Sequence, residues 1–267
     1  MMTLVELLRL IGLPEEAAEG VFAFAERGLE GAEPLVAALT DPLHAERAER
    51  ELEERLRGEK WGVLACLLLA AASAHGEYVR LGIPEKVYVD TMGCFVRFVK
   101  EHRALTGEWG FDRGRWAWRA TCLRIFRIGT LEYELLSGEK RALSLHIPSD
   151  ASLDLKACRS SHEAARTFFA AYFPAYARAP VVCSSWLLHP ALKELLGEES
   201  NIVRFQSLFD IVRVDEDDIS YRAFVFRRTD GDIADYPENT TLQRRLKEHL
   251  LRGGHMGSAL GIWKETE

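Results

Sequence analysis

The sequence predicts an α+β fold, in which an all-helical domain over residues 1–110 precedes a mixed β-sheet flanked by helices over residues 111–267. Two observations predict it. Apolar residues of the first part recur every three or four positions, as they do on one face of a helix. Between residues 123 and 147, three short runs instead alternate apolar and polar residues, which is the period of a half-buried strand.

The first part contains a series of helical patterns. They cover residues 3–11, 15–27, 34–39, 41–57, 61–74 and 84–102. In the first pattern Leu4, Leu7 and Ile11 share a face, and Pro14 is suited to open the second. The apolar run 61–74 is shorter than the roughly 20 residues of an ordinary membrane span, so we expect it to be a buried core helix. The glycines within residues 107–115 predict a linker.

The three alternating runs at 123–128, 131–135 and 141–147 predict strands joined by short connections, and hence an antiparallel meander. The arginines of the first run and the glutamates of the second are expected on outward faces, where they can pair across the strands.

A crossover follows the meander. Asp154 is suited to cap a helix that Pro174 ends, and a buried strand over residues 180–188 comes next. Strand, helix and strand in this order indicate a parallel pair in the sheet. The remaining patterns predict helices at 191–196, 202–209 and 241–251 and a closing strand pair at 209–214 and 220–226.

Composition narrows the function classes. The chain has 267 residues, 48% of them hydrophobic and 28% charged, and a net charge of −7, which fits a soluble globular protein without the basic footprint of a nucleic-acid binder. The five cysteines are scattered and no export signal is visible, so we expect reduced thiols and a cytoplasmic, non-membrane protein. The dispersed histidines indicate no metal site. No P-loop, G-x-S-x-G or dinucleotide-binding motif is present.

The order of these elements resembles the GNAT-type N-acyltransferases, and the closer resemblance is to bacterial acyltransferases with a helical N-terminal domain before a GNAT-like C-terminal domain. It covers essentially the whole chain and is carried by the segments His146-Ile147-Pro148, Ser185-Trp186-Leu187-Leu188 and Ser200-Asn201-Ile202-Val203-Arg204-Phe205. The resemblance implies that acyl-CoA lies against the third strand and the N-terminus of the crossover helix. It also implies acyl transfer to an amine or another small nucleophile.

Within that frame we expect His146, at the end of the third strand, to act as the general base, because an imidazole can accept a proton near neutral pH. The alternative is a structural histidine that binds the following loop. Ser184 and Ser185 are expected to contact acyl-CoA or take part in catalysis, unless they serve only close helix packing. Cys183 is a weaker candidate for a covalent nucleophile.

Two further sets complete the predicted site. Ser149 and Ser152 are expected to donate hydrogen bonds to the CoA phosphates. Their loop lacks the glycines of the usual GNAT phosphate loop, and Asp150 is negatively charged. Asn201 and Arg204 share a helical face and are expected to bind a phosphate or a substrate carboxylate, or else to form a polar network. The alternative function is a non-catalytic GNAT-like module that binds a ligand or a protein but has lost CoA.

Overall fold

The computed structural model describes residues 2–29 and 31–265. It forms two compact units, Met1–Ile128 with Glu132–Glu134, and Gly129–Leu131 with Leu135–Glu267. The first unit begins with helices α1 (Leu4–Ile11), α2 (Glu15–Glu26), α3 (Glu33–Ala38), α4 (Ala45–Arg55), α5 (Gly62–Leu81), α6 (Glu85–Thr106) and α7 (Gly114–Thr121).

Local chemistry explains the helix boundaries. The Thr3 hydroxyl accepts a hydrogen bond from the Glu6 amide, and the Glu6 carboxylate accepts one from the Thr3 amide, so α1 begins with a capping box. Gly12, at φ 68°, ends this helix in the left-handed region. Helix α5 extends beyond its predicted end, and its buried side chains form the centre of the unit.

Among the described residues, one helix, α5, is long and apolar enough to cross a membrane, and 61% of its most apolar window is buried inside the protein. A core helix meets the same criteria of length and composition, so this finding carries no membrane assignment.

Helix α7 corrects the prediction of a linker that ends at residue 115. Trp118 and Thr121 are buried, and the Thr121 hydroxyl donates to the carbonyl of Leu39 at 2.6 Å. Gly114 suggested a break, but its function is close packing, because a Cβ atom there would lie 2.4 Å from an oxygen of Glu49 on α4. The boundary that the sequence predicts near residue 110 falls between α6 and α7, whereas the compact units divide at Ile128.

The glutamates of the second strand also differ from the prediction, since they are buried. Glu132 pairs with Arg97 of α6 at 2.8 Å, and Glu134 pairs with Arg119 at 3.1 Å and Arg124 at 3.0 Å. A buried carboxylate requires such partners, because an unpaired charge in the core is costly.

The sheet contains β1 (Ile125–Ile128), β2 (Leu131–Leu136), β3 (Ala142–His146), β4 (Val181–Ser185), β5 (Phe209–Asp215) and β6 (Ser258–Trp263). Its strand order is β1-β2-β3-β4-β6-β5. Strands β3 and β4 run parallel, while β6 is antiparallel to both β4 and β5. The mixed sheet that the sequence predicts is therefore confirmed.

The helices of the second unit are α8 (Leu155–Tyr172), α9 (Ala191–Leu196), α10 (Asn201–Gln206) and α11 (Thr241–Leu251). As predicted, the Asp154 carboxylate caps α8, and it accepts from the Ala157 amide at 3.1 Å. Helix α8 connects β3 to β4 and is therefore the crossover.

The closing strand pair was predicted wrongly. Residues 220–226 form no strand, because Arg222–Phe226 is a π-helical segment whose Val225 and Phe226 join a hydrophobic cluster with Tyr221 and with Leu246 of α11. The partner of β5 is β6, which follows α11 and lies between β4 and β5.

Candidate active site

Strands β3 and β4 separate towards their C-terminal ends. Within the described residues their ladder consists of two pairs, Leu143 with Val181 and Ser144 with Val182. Strand β3 continues to His146 and β4 to Ser185 without further pairing between them. Because the strands are parallel, these ends lie at the same edge of the sheet.

The side chains of β4 and β6 point alternately to two faces of the sheet. One face, here called the Trp263 face, is covered by helices of the second unit. His162 of α8 stacks on Trp263 with ring centroids 4.3 Å apart and planes at 7°. The ring centroid of Phe209 lies 5.2 Å from that of Trp263 and 5.1 Å from that of Phe205 on α10.

The opposite face, here called the Ser184 face, is more accessible. Ser184 is exposed, and Ser144 and His146 are half-buried. The register places Ser144 beside Val182, and His146 and Ser184 each follow two residues later on the same face. The structure therefore places His146 and Ser184 on one face, at the edge where β3 and β4 part.

Ser185 does not join them, because it pairs with Ala259 and points to the Trp263 face. Its hydroxyl accepts from the Leu187 amide at 3.1 Å and so caps the 3-10 turn Trp186–Leu188. Cys183 is also on the Trp263 face. It is fully enclosed, and burial raises the pKa of its thiol to about 12, which disfavours the thiolate that a nucleophile needs.

The loop before α8 is held by hydrogen bonds to the turn between β1 and β2 and by one within the loop. The Ser152 amide donates to Thr130 Oγ1 at 2.7 Å, and the Ser152 hydroxyl accepts from the Asp154 amide at 3.3 Å. That hydroxyl keeps its proton for donation to a ligand. Ser149 and Ser152 are both exposed, and they lie between the C-terminal end of β3 and the N-terminus of α8.

Asn201 and Arg204 are exposed on α10, and Arg204 forms an ion pair with Glu199. Because Phe205 of the same helix packs against Phe209 on the Trp263 face, these two residues belong to a different face from His146 and Ser184. The structure thus divides the predicted residues into two groups.

Sequence reasoning missed how the segment after β4 is held. Gln206 is buried, and its amide group donates to the carbonyls of both Leu187 and His189 at 2.9 Å. His189 Nδ1 accepts from the Ala191 amide at 3.3 Å. Burial lowers the pKa of His189, so the ring is neutral in the neutral pH range. A polar residue at the end of an apolar helical stripe was the available signal for Gln206.

Strand β6 was also missed, and it supplies Leu260 and Ile262 to the Ser184 face. Its sequence, Ser258-Ala259-Leu260-Gly261-Ile262-Trp263, shows little alternation because its more accessible face carries the aliphatic side chains of Leu260 and Ile262. Within the described residues, no group of three or more His, Cys, Asp or Glu side chains converges to hold a metal ion.

Comparison with known proteins agrees with this architecture. Residues 2–123 match the model of the N-acyltransferase N-terminal domain, and residues 125–263 match that of the GNAT-like C-terminal domain. None of the curated proteins matches the sequence significantly.

Solved structures are similar over nearly the whole chain. A variant acyltransferase in complex with octanoyl-CoA superimposes with a TM-score of 0.84 at 26% identity, covering 98% of this chain and 87% of the other. An acyltransferase in complex with decanoyl-CoA and teicoplanin superimposes with a TM-score of 0.83 at 26% identity, covering 97% of this chain and 86% of the other. With both domains matched in sequence and the fold matched in structure, the chain belongs to the family of N-acyltransferases that join a helical N-terminal domain to a GNAT-like C-terminal domain.

Proposed function

We propose that the protein transfers a medium-chain acyl group from acyl-CoA to an amine. One observation carries the proposal: relatives that align with 98% and 97% of this chain are acyltransferases in complex with octanoyl-CoA and decanoyl-CoA. The edge of the sheet where the pairing of β3 with β4 ends supports it, because His146 and Ser184 lie there on the same face.

The CoA end of the substrate is assigned to the loop between β3 and α8. Ser149 and Ser152 are exposed there and would donate hydrogen bonds to phosphate oxygens, next to the N-terminus of an 18-residue helix. Asp154 opposes this binding, since its carboxylate occupies the cap of the same helix. Ser184, across the gap on β4, would contact the pantetheine or the thioester.

His146 is assigned to proton transfer. It would take a proton from the attacking amine, directly or through one water molecule. The amine nitrogen then forms a bond to the thioester carbonyl carbon, and the carbon–sulfur bond breaks. The sulfur leaves as CoA thiolate, which accepts a proton to give free CoA. Strand amides at the gap would stabilise the negative charge on the carbonyl oxygen.

The other predicted residues receive narrower roles. Ser185 would position the end of β4 through its cap of the 3-10 turn. Asn201 and Arg204 would bind a phosphate or a substrate carboxylate on α10. The Glu199 carboxylate, which forms an ion pair with Arg204, would compete with that anion for the guanidinium group.

The test is an assay of the full-length protein with octanoyl-CoA or decanoyl-CoA and a panel of amines. Since a relative is complexed with teicoplanin, glycopeptides with a free amino group belong in the panel, next to amino sugars and polyamines. We expect release of CoA thiol together with an acceptor whose mass has increased by one acyl group. If no CoA thioester binds to the protein, the proposal is wrong, and the GNAT-like unit is a non-catalytic binding module.

A further inference from the structure

Three aliphatic side chains lie together on the Ser184 face. Val182 of β4 is directly opposite Ile262 of β6, and Leu260 is opposite Ser184, two residues further along β6. Val182 and Leu260 are half-buried, and Ile262 is 38% exposed. We call these three residues the aliphatic strip.

The strip is narrow. It is bounded by Ser144 on β3, and by the exposed side chains of Asp210 and Arg213 on β5, which pair with Ile262 and Leu260. Three partly exposed aliphatic side chains provide far less than the roughly 800 Å² per partner that a stable protein interface buries. Three aliphatic side chains side by side can instead contact a single hydrocarbon chain.

The strip is also continuous with the proposed reaction centre. Ser184 is opposite Leu260 at the edge where β3 and β4 part, and His146 is on the same face. Two residues of strand span roughly 6.6 Å, so the Val182–Ile262 pair lies about that far from the Ser184–Leu260 pair. A thioester held between the strand ends would therefore have its first carbons beside Leu260 and its later carbons over Val182 and Ile262.

We propose that the aliphatic strip binds the acyl chain of the thioester and thereby selects medium-length chains over acetyl. This inference rests on the proposed function. Among the possible occupants, the acyl chain is favoured because relatives with the same fold are complexed with octanoyl-CoA and decanoyl-CoA. An apolar part of the acceptor is the competing occupant, and the test separates the two.

The experiment measures the dissociation constants of acetyl-CoA, octanoyl-CoA and decanoyl-CoA by titration calorimetry, below the concentrations at which the thioesters form micelles. The variants are Val182→Thr, Ile262→Thr and the double variant, which keep β-branched side chains and replace apolar groups with hydroxyls. The matched control is Val212→Thr on the edge strand β5, at an aliphatic side chain that is 54% exposed and outside the strip.

For the wild type we expect affinity to rise from acetyl-CoA to decanoyl-CoA, by about twofold to fourfold for each methylene that the strip covers. In the double variant, the preference for decanoyl-CoA over acetyl-CoA should fall by about tenfold or more, while acetyl-CoA binds as before. The control should keep the wild-type preference. If the double variant does not fold, Ile262→Thr alone decides, because its side chain is the most exposed of the three.

Two results would overturn the inference. One is a wild type that binds acetyl-CoA and decanoyl-CoA equally well. The other is an unchanged chain-length preference in the variants, which would place the acyl chain elsewhere and leave the strip to an apolar part of the acceptor. In both cases CoA thioesters still bind, which distinguishes these outcomes from failure of the proposed function, in which none binds.

Discussion

At the scale of single residues, Glu49 makes the folded protein less stable as the pH rises through the neutral range. Its carboxyl group is fully buried. Burial, and then the neighbouring Glu53, raise its pKa to about 8. The folded state therefore holds a proton that the unfolded state has already lost, and the free energy of unfolding falls as pH rises from about 4.5 to about 8.

We expect the free energy of unfolding of Glu49→Gln to fall less with rising pH than that of the wild type, because the amide has nearly the same shape as the carboxyl group and stays neutral. The measurement is urea unfolding at about pH 6 and about pH 9. The variant should gain stability relative to the wild type at the higher pH, whereas Glu54→Gln, at an exposed position of the same helix, should not. An equal pH dependence in wild type and Glu49→Gln would show that Glu49 is ionised in the folded protein at neutral pH.

His162 has the opposite pH dependence. Burial on α8 against Trp263, and then the nearby Arg166, lower its pKa to about 4. The unfolded state then binds more protons between about pH 6.5 and about pH 4, so stability is full above this window and falls as pH drops through it. His162→Phe keeps a ring on Trp263 and cannot be protonated. We expect its unfolding free energy to fall less than that of the wild type from about pH 7 to about pH 4.5, and a parallel loss in both proteins would contradict this account.

At the scale of elements, Asp154 has two opposing effects on α8. Its carboxylate caps the helix, which is worth about 1 kcal/mol, but it adds negative charge where the CoA phosphates are proposed to bind. Asp154→Asn should keep the cap and bind CoA a few times more tightly, while Asp154→Ala should lose about 1 kcal/mol of stability. Calorimetric titration with CoA and urea unfolding measure the two effects separately. Equal CoA affinity in wild type and Asp154→Asn would place the phosphates away from this helix end.

Elements with strong local signals could be predicted from the sequence, and the others depended on tertiary contacts. The cap at Asp154, the crossover helix and the helix at 241–251 follow from local chemistry and periodicity. Residues 220–226 are rich in aromatic and β-branched side chains, yet they form a π-helical segment because Tyr221, Val225 and Phe226 pack into a cluster with α9 and α11. The Gln243 amide completes this segment by donating to the carbonyl of Val225 at 2.8 Å.

The candidate site likewise has some features that local sequence patterns predict and others that depend on tertiary contacts. That His146 ends β3 and that small polar residues end β4 could be predicted from the strand patterns. Which of the adjacent serines shares a face with His146 depends on the register between β3 and β4, which only the folded structure provides. The contribution of β6 was unpredictable for a related reason, since its more accessible face carries the aliphatic side chains of Leu260 and Ile262, so the strand lacks the polar alternation of a half-buried strand.

At the scale of the whole molecule, the family match spans both domains, while the chemistry proposed here uses residues of the second unit. Substrate binding and proton transfer are assigned to different groups within that unit, with the serine loop and the aliphatic strip holding the substrate and His146 moving the proton. Binding and turnover should therefore respond separately to mutation.

We therefore expect His146→Ala to bind decanoyl-CoA like the wild type, with the same rise in melting temperature at saturating ligand, which corresponds to roughly 2.7 kcal/mol at 100 times the dissociation constant. Its turnover should fall by about 10²–10⁴-fold, because the amine loses its proton acceptor. His255→Ala, at an exposed histidine of the same unit, is the matched control and should keep full turnover. If His146→Ala lost ligand binding and turnover together, the histidine would hold the loop or the substrate instead. If it kept full turnover, the proton would leave by another group or through solvent alone.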